Sequence, residues 1–466
     1  MPRAAALLLA ALALCCLRPA AGQGDPYAVI RARARAQFYP AASALPGLVS
    51  AANHSLALLN ASCFFTDVNY TDQTRANWGA IAHLYRVAAL AQATTTPGSP
   101  AFEDAHLLSG MHCALQAWLQ CKPRLTDPNW WWANIGEELS LQSTFLLLGA
   151  NRTTPLEFQM LVDFSYSSAW WVNDYGGGDN LSDMLRIQLW RGIASANATA
   201  VQQAFDVLFS TARIGHVTDA YEGVIDDMSY HFHGIQMLSS AYGAGWVGTM
   251  LDTLATAEGT RWAMPGAAAG VLAQFLAEGD LALTFGNRWD WGTQGRGIDR
   301  PGLDFAWGWR GDSVRLLAAT PAAAPWAPAL AALADLLDGV QPAQQRSSSK
   351  HFWTTDFYAH KRPQWGATFK GYGNNTLWTV IGNECACGGG RRAQRQPPFS
   401  AQPLRRHSPA PPPSLSLLLF THTLSLFSST HSLSLLLYTH AARAPLLPPQ
   451  ATIARTSRAS TLPRAR

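Results

Sequence analysis

Between residues 25 and 340, apolar side chains recur mostly at helical spacing. Ile81, Leu84, Tyr85 and Ala88 form one stripe, and Leu107, Met111, Leu115 and Trp118 form another at i, i+4, i+8 and i+11. Ile135, Leu139 and Leu146 continue the pattern, with Gly149 as a stop. Val201, Phe205 and Leu208 share a face, as do Met250, Leu251 and Leu254, and Ala/Leu-rich stretches follow at 267–283 and 329–337. Clusters such as Thr96-Pro97-Gly98, Asp127-Pro128-Asn129 and Gly176-Gly177-Gly178 separate the segments. Strand-like alternation of any length begins only within 352–380. The pattern predicts an all-α domain of stacked helical hairpins. Such hairpins close into an α/α toroid or stay open as a solenoid, and periodicity does not separate the two.

The two ends read differently. Arg3, the apolar run at 4–17 and the small residues Ala20-Ala21-Gly22 make residues 1–22 a secretory signal, cleaved before Gln23. That run is too short to span a bilayer. Seven N-x-S/T sequons, at Asn53, Asn60, Asn69, Asn151, Asn180, Asn197 and Asn374, agree with a secreted, extracellular glycoprotein. From about Gly388 the composition changes abruptly. Residues 411–440 alternate Ser, Leu and Thr-His without charge or helical period, as translation of a simple nucleotide repeat would. The expectation is a disordered or aberrant tail from read-through of non-coding sequence; a genuine linker is the alternative.

Cys15 and Cys16 leave with the signal, so Cys63, Cys113, Cys121, Cys385 and Cys387 remain, an odd number. On one helix Cys113 and Cys121 would lie about 12 Å apart, too far for a disulfide. Cys385 and Cys387 have no matching His/Cys cluster, so no metal site is expected.

Hydrophobic residues make up 48% and charged residues 14%, which excludes a charge-rich disordered chain. The net charge of +4 misleads, because ten Arg and no acidic residue lie beyond position 390. Residues 1–390 are therefore slightly acidic and carry no basic patch of nucleic-acid type. The eighteen Trp matter more, since exposed indoles are suited to stacking on sugar or base rings.

Polar clusters sit at the breaks between apolar segments. In Asn129-Trp130-Trp131-Trp132-Ala133-Asn134-Ile135-Gly136, three adjacent Trp on a helix point about 100° apart, so at least one lies near the surface. Gly178-Asp179-Asn180-Leu181-Ser182-Asp183 is a Gly-rich entry to a helix, where an Asn faces anions; Asp179 or Ser182 as a simple cap is the plainer reading. In Asp227-Met228-Ser229-Tyr230-His231-Phe232-His233-Gly234-Ile235-Gln236, running on to Tyr242-Gly243, His233 and Tyr242 are nine residues apart. Nine residues turn about 900°, so one continuous helix would set them on opposite faces; a shared site requires a break. Gly295-Arg296-Gly297-Ile298-Asp299-Arg300-Pro301 offers two Arg suited to a carboxylate or sulfate, or to surface ion pairs.

These four segments, in this order, resemble polysaccharide lyase family 8, the hyaluronate, chondroitin AC and xanthan lyases. The resemblance spans roughly 75–385. It implies an incomplete α/α toroid of helical hairpins with only the start of the family's β-sandwich domain. The implied organisation is a signal at 1–22, a catalytic toroid at 23–340, the beginning of a β domain at 341–387 and the odd tail at 388–466. The implied reaction is β-elimination beside a uronic acid. Asn180 and His233 would neutralise the carboxylate, Tyr242 would move the proton, and Arg296 would assist it. Asn129, Trp130, Trp131 and Arg300 would hold the substrate. No cofactor or metal is implied. The implied partner is an acidic polysaccharide, met by a monomer without nucleic acid or membrane span. An inactive truncated isoform and a non-catalytic carbohydrate-binding protein remain alternatives.

Overall fold

A computed structural model describes residues 26–75, 77–121, 129–164, 177–219, 221–285, 288–295, 308–340, 347–363, 365–371 and 434–439. The expected signal lies outside the described residues, as do Arg296, Arg300, Cys385, Cys387 and nearly all of the tail.

The described helices are α1 (Pro26–Ala36), α2 (Leu45–Ala57), α3 (Ala82–Thr95), α4 (Ala105–Cys121), α5 (Glu137–Leu148) and α6 (Pro155–Phe164). They continue with α7 (Gly178–Ala194), α8 (Ala198–Ser210), α9 (Ala244–Ala257), α10 (Gly266–Gln274), α11 (Gly311–Ala318) and α12 (Ala327–Leu337). Their periodic stripes become cores. Leu107, Met111, Leu115 and Trp118 are buried in one that joins α2 to α6. Val201, Phe205, Leu208, Met250, Leu251 and Leu254 are buried in another spanning α7 to α12. Tyr85 departs from its stripe and stays exposed, while Ile81 and Leu84 are buried. Gly149 ends α5 at φ +64°, donating its N–H to Phe145 O at 2.7 Å. No described helix is by itself long and apolar enough to cross a membrane.

Cys63 and Cys113 form a disulfide, their Cα atoms 5.3 Å apart, and tie the loop after α2 to α4. Cys121 is the free cysteine among the described residues.

Helices α5, α7 and α9 run in the same direction. At their N-terminal ends, Trp131 before α5 packs with Met184 and Ile187 of α7. A Cβ at Gly245 of α9 would lie 2.5 Å from Asp179 of α7. At their C-terminal ends, three arginines of α1 reach all three helices. Arg31 donates to Ile193 O, Arg33 to Thr256 O and Glu258 O, and Arg35 to Leu146 O at 2.7 Å. Cations there satisfy orphan carbonyls and oppose the negative ends of three parallel helix dipoles. The dipoles' positive ends therefore converge at the other end of the bundle.

Two short antiparallel ribbons interrupt the helices: β1 (Gly223–Val224) with β2 (Tyr230–His231), and β3 (Thr284–Phe285) with β4 (Arg288–Trp289). After α12 comes an antiparallel sheet in the order β5 (Ser348–Phe352), β6 (Phe357–Arg362), β7 (Trp365–Lys370), β8 (Ser434–Thr439). Its first three strands fall where the alternation begins. The fourth lies in the tail expected to lack structure, with Ser434 opposite Lys370 and Thr439 opposite Trp365. β7 offers an open edge, and an uncharged Ser/Leu/Tyr segment without Pro satisfies it at little cost.

The sheet is bolted to the helical part. Asp227 accepts from Ser229 N–H and Oγ through one oxygen, and from Thr354 N–H at 2.9 Å and Oγ1 at 2.6 Å through the other. His231 Nε2 lies 3.0 Å from Thr354 Oγ1. Lys361 Nζ donates to Leu281 O and Thr284 O. Phe352 and Phe357 join the apolar core beneath.

Candidate active site

The site begins at the N-terminus of α7. Gly177 (φ +143°) and Gly178 (φ +63°) adopt backbone that side-chain-bearing residues rarely reach. A Cβ at Gly178 would lie 2.2 Å from the Phe232 ring, so that ring sits directly on the helix entry. Phe232 in turn stacks on Tyr242, with centroids 4.1 Å apart and planes inclined by 27°, and packs edge-on against His233 at 4.4 Å. His233 Nε2 and Tyr242 Oη are 3.2 Å apart. One aromatic ring thus joins the second polar cluster to the third.

His233 and Tyr242 meet because the chain breaks between them. Residues 232–238 are non-helical. Tyr242 rides on a π-helical turn, Ser239–Gly243, that leads into α9. A second π-helical turn, Trp132–Gly136, opens α5. Such turns re-aim side chains at helix ends and recur at functional sites.

His233 itself has φ +56°, uncommon for a residue other than Gly. Glu222 accepts its N–H at 2.8 Å, and Gln236 donates to its carbonyl at 2.9 Å. Asn180 is 9% exposed, one residue beyond Asp179 in the first turn of α7, with no hydrogen-bond partner for its amide among the described residues. Ser182 donates to Asp179 O and Oδ1, so both plainer capping candidates are engaged within the first turn.

The three indoles divide as their spacing requires. Trp132 is buried, Trp131 half-buried and Trp130 41% exposed. Asn129, expected to hold substrate, accepts from Trp131 N–H at 3.2 Å through its oxygen and donates its amide to Arg75 O at 3.4 Å. Arg296 and Arg300 are not described, but the residues before them are anchored beside Tyr242. Gln294 donates to Ser240 O at 3.0 Å, the Thr293 and Ser240 hydroxyls are 2.6 Å apart, and a Cβ at Gly295 would lie 2.3 Å from Leu238.

Electrostatics favour an anion here. Burial, then the charge of Asp183, raises the Asp179 carboxyl well above the usual range. Asp183 pairs with Arg186 at 2.7 Å. Burial also raises Glu222, opposed by the N–H groups of His233 and Gly234. Burial lowers His231 to about 4, against the pull of Asp227, so it is neutral near pH 7. His231 therefore adds no positive charge near pH 7, and the N-terminus of α7, packed against Phe232, is the positive helix end at the site. No group of three or more His, Cys, Asp or Glu among the described residues is placed to hold a metal ion.

Comparison with known proteins gives the family. The model of the N-terminal α-helical domain of polysaccharide lyase family 8 matches residues 39–306. The chain belongs to polysaccharide lyase family 8. It is similar to chondroitinase AC of Pedobacter heparinus, with 23% identity over 339 residues, covering 72% of this chain and 47% of that protein. Among solved structures, a chondroitinase AC lyase studied with oligosaccharides matches at TM-score 0.66 and 19% identity, over 77% of this chain and 52% of that one. A Paenibacillus xanthan lyase matches at TM-score 0.60 and 16% identity, over 75% and 37%. A Streptomyces coelicolor chondroitin AC lyase, in complex with chondroitin sulphate, matches at 0.59 and 17%, over 74% and 53%. These likenesses show a fold shared with lyases of this family, consistent with the α/α toroid expected from the motifs. The chain spans about half the length of the curated relative it matches.

Two groups at this candidate site carried no sequence signal. Glu222 belongs to no motif and lies eleven residues before His233. Thr354 is more than a hundred residues from Asp227.

Proposed function

We propose that this chain is a secreted carbon–oxygen lyase that cleaves a uronic-acid-containing polysaccharide by β-elimination. The observation that carries the reading is the His233–Tyr242 pair, 3.2 Å apart, on a loop packed through Phe232 onto the helix entry that carries Asn180. The uronate carboxylate would lie against the N-terminus of α7. Asn180 and His233 donate to it there, which acidifies the adjacent C5–H by stabilising the enolate-like intermediate. Ionised Tyr242 takes the C5 proton. The electron pair forms the C4=C5 double bond as the C4–O4 bond breaks, and Tyr242 returns the proton to O4. Atoms balance without water: one product carries the unsaturated uronate, the other a new hydroxyl. A phenol with pKa near 10 needs cationic support to act as a base, and Arg296 and Arg300 are the candidates, following in sequence the segment anchored beside Ser240. Trp130 and Trp131 provide a stacking surface for a sugar ring.

The test is ultraviolet absorbance of the unsaturated uronate with hyaluronan, chondroitin and xanthan as separate substrates. Product from any of them supports the lyase. Binding with no product from any polymer supports the carbohydrate-binding alternative and refutes turnover by this chain.

A further inference from the structure

We infer that Glu222 is a positioning residue, whose carboxylate holds the His233 backbone in the left-handed conformation that aims Nε2 at Tyr242. The inference rests on the lyase reading for its catalytic consequence, and on geometry alone for the positioning itself.

His233 and Gly234 are consecutive residues with positive φ, +56° and +85°. Consecutive N–H groups in such a turn converge into a concave nest that receives an anion. Here the anion comes from the chain itself: Glu222 accepts the His233 N–H at 2.8 Å, and the neighbouring Gly234 N–H also favours its ionised form. On the other side, Gln236 donates to the His233 carbonyl at 2.9 Å. Both ends of the His233 backbone are therefore fixed by side chains, and its imidazole is left to meet Tyr242.

Glu222 is itself held in place. It directly precedes β1, whose Gly223 pairs with His231, so the antiparallel register carries Glu222 opposite Phe232, one residue from the one it orients. Gly177 and Gly178 leave room for it, since a Cβ at Gly178 would lie 3.4 Å from Glu222 Cβ. The entry to α7 and the catalytic loop thus share this carboxylate. Glu222 lies near Tyr230, whose phenol burial raises first, followed by the charges of Asp179, Tyr221, Glu222 and Asp183. No cation balances it among the groups that set its ionisation, so the backbone N–H groups do. A carboxylate on backbone donors forms charge-assisted bonds, stronger than those an amide could form.

The experiment uses the full chain with Glu222→Gln and Glu222→Ala. The amide keeps an acceptor oxygen but loses the charge, and alanine loses both. In Glu222→Ala, kcat should fall about 10- to 100-fold, the scale of a misplaced catalytic group, while KM stays within about twofold. Glu222→Gln should fall between that and the parent. The His233 imidazole resonance, assigned by its loss in His233→Asn, should shift in both variants without substrate. That readout stands even if the parent shows no turnover, so failure of the lyase reading and failure of this one are separable. A folded Glu222→Ala with parental kcat and an unshifted His233 signal would overturn the inference. A raised KM at constant kcat would overturn it too, by placing Glu222 on the substrate. Should neither variant fold, amide exchange in the parent decides. The His233 N–H should be protected from exchange, and free exchange there would refute the Glu222 contact.

Discussion

Tyr242→Phe separates chemistry from packing more cleanly than any other change at this site. The ring contacts survive: Phe232 stacks on it at 4.1 Å and His233 packs edge-on at 5.3 Å. What is lost is one hydroxyl, at a half-buried position, and its bond to His233 Nε2 at 3.2 Å. A net loss of one such bond costs about 1 kcal/mol, which in a domain this large lowers Tm by about 2–4 °C or less. Loss of a general acid–base group lowers turnover by at least about 10²-fold, or about 2.7 kcal/mol of barrier. The barrier effect should therefore exceed the stability effect by more than twofold. Polymer binding should persist, because Trp130 and Trp131 are untouched. Melting temperature, polymer binding and unsaturated-uronate absorbance are measured on one preparation of each protein. If the hydroxyl serves only packing, Tm falls and turnover holds. Near-normal turnover in Tyr242→Phe, with an active parent, would end the proposed mechanism.

Thr354→Val strips Asp227 of a 2.6 Å hydroxyl donor in a buried network, and should cost about 1–3 kcal/mol in urea unfolding. Turnover should fall with it, since the loop from 227 to 238 carries His233; unchanged stability and turnover would show that the sheet does not brace the loop. His83 is fully buried between Tyr70 Oη and Ala114 O, and burial lowers it to about 4. As pH falls, the unfolded chain takes up this proton first, near pH 6.5, so the stability from neutral His83 is present above that pH and lost toward pH 4. His83→Gln should flatten that decline in melting experiments; an unaltered slope would refute the assignment. Five described sequon asparagines, Asn53, Asn60, Asn69, Asn151 and Asn197, are exposed, while Asn180 is buried. Glycopeptide mapping of secreted protein should find glycan on members of that set and none on Asn180, and occupancy of Asn180 would rule it out as a substrate contact.

What the sequence determined by itself was local. Helical stripes such as Leu107, Met111, Leu115 and Trp118 bury as their 3.6-residue period requires, and Gly149 stops α5 because it reaches φ +64° freely. The graded exposure of Trp130, Trp131 and Trp132 follows from their 100° separation, and the nine-residue spacing of His233 and Tyr242 requires a break only if the two share a site. Tertiary structure decided what joins residues distant along the chain. Cys113 was excluded from pairing with Cys121 by helix geometry, but only the fold brought Cys63 to it. Arg31, Arg33 and Arg35 look like a surface charge run until α1 is seen across three helix C-termini. Glu222 and Thr354 have no local pattern, because a carboxylate that binds backbone N–H groups, or a hydroxyl that binds a distant Asp, needs no fixed neighbours in sequence. Periodicity encodes which face of an element is buried; which faces and ends meet is set by packing, a property of the whole chain.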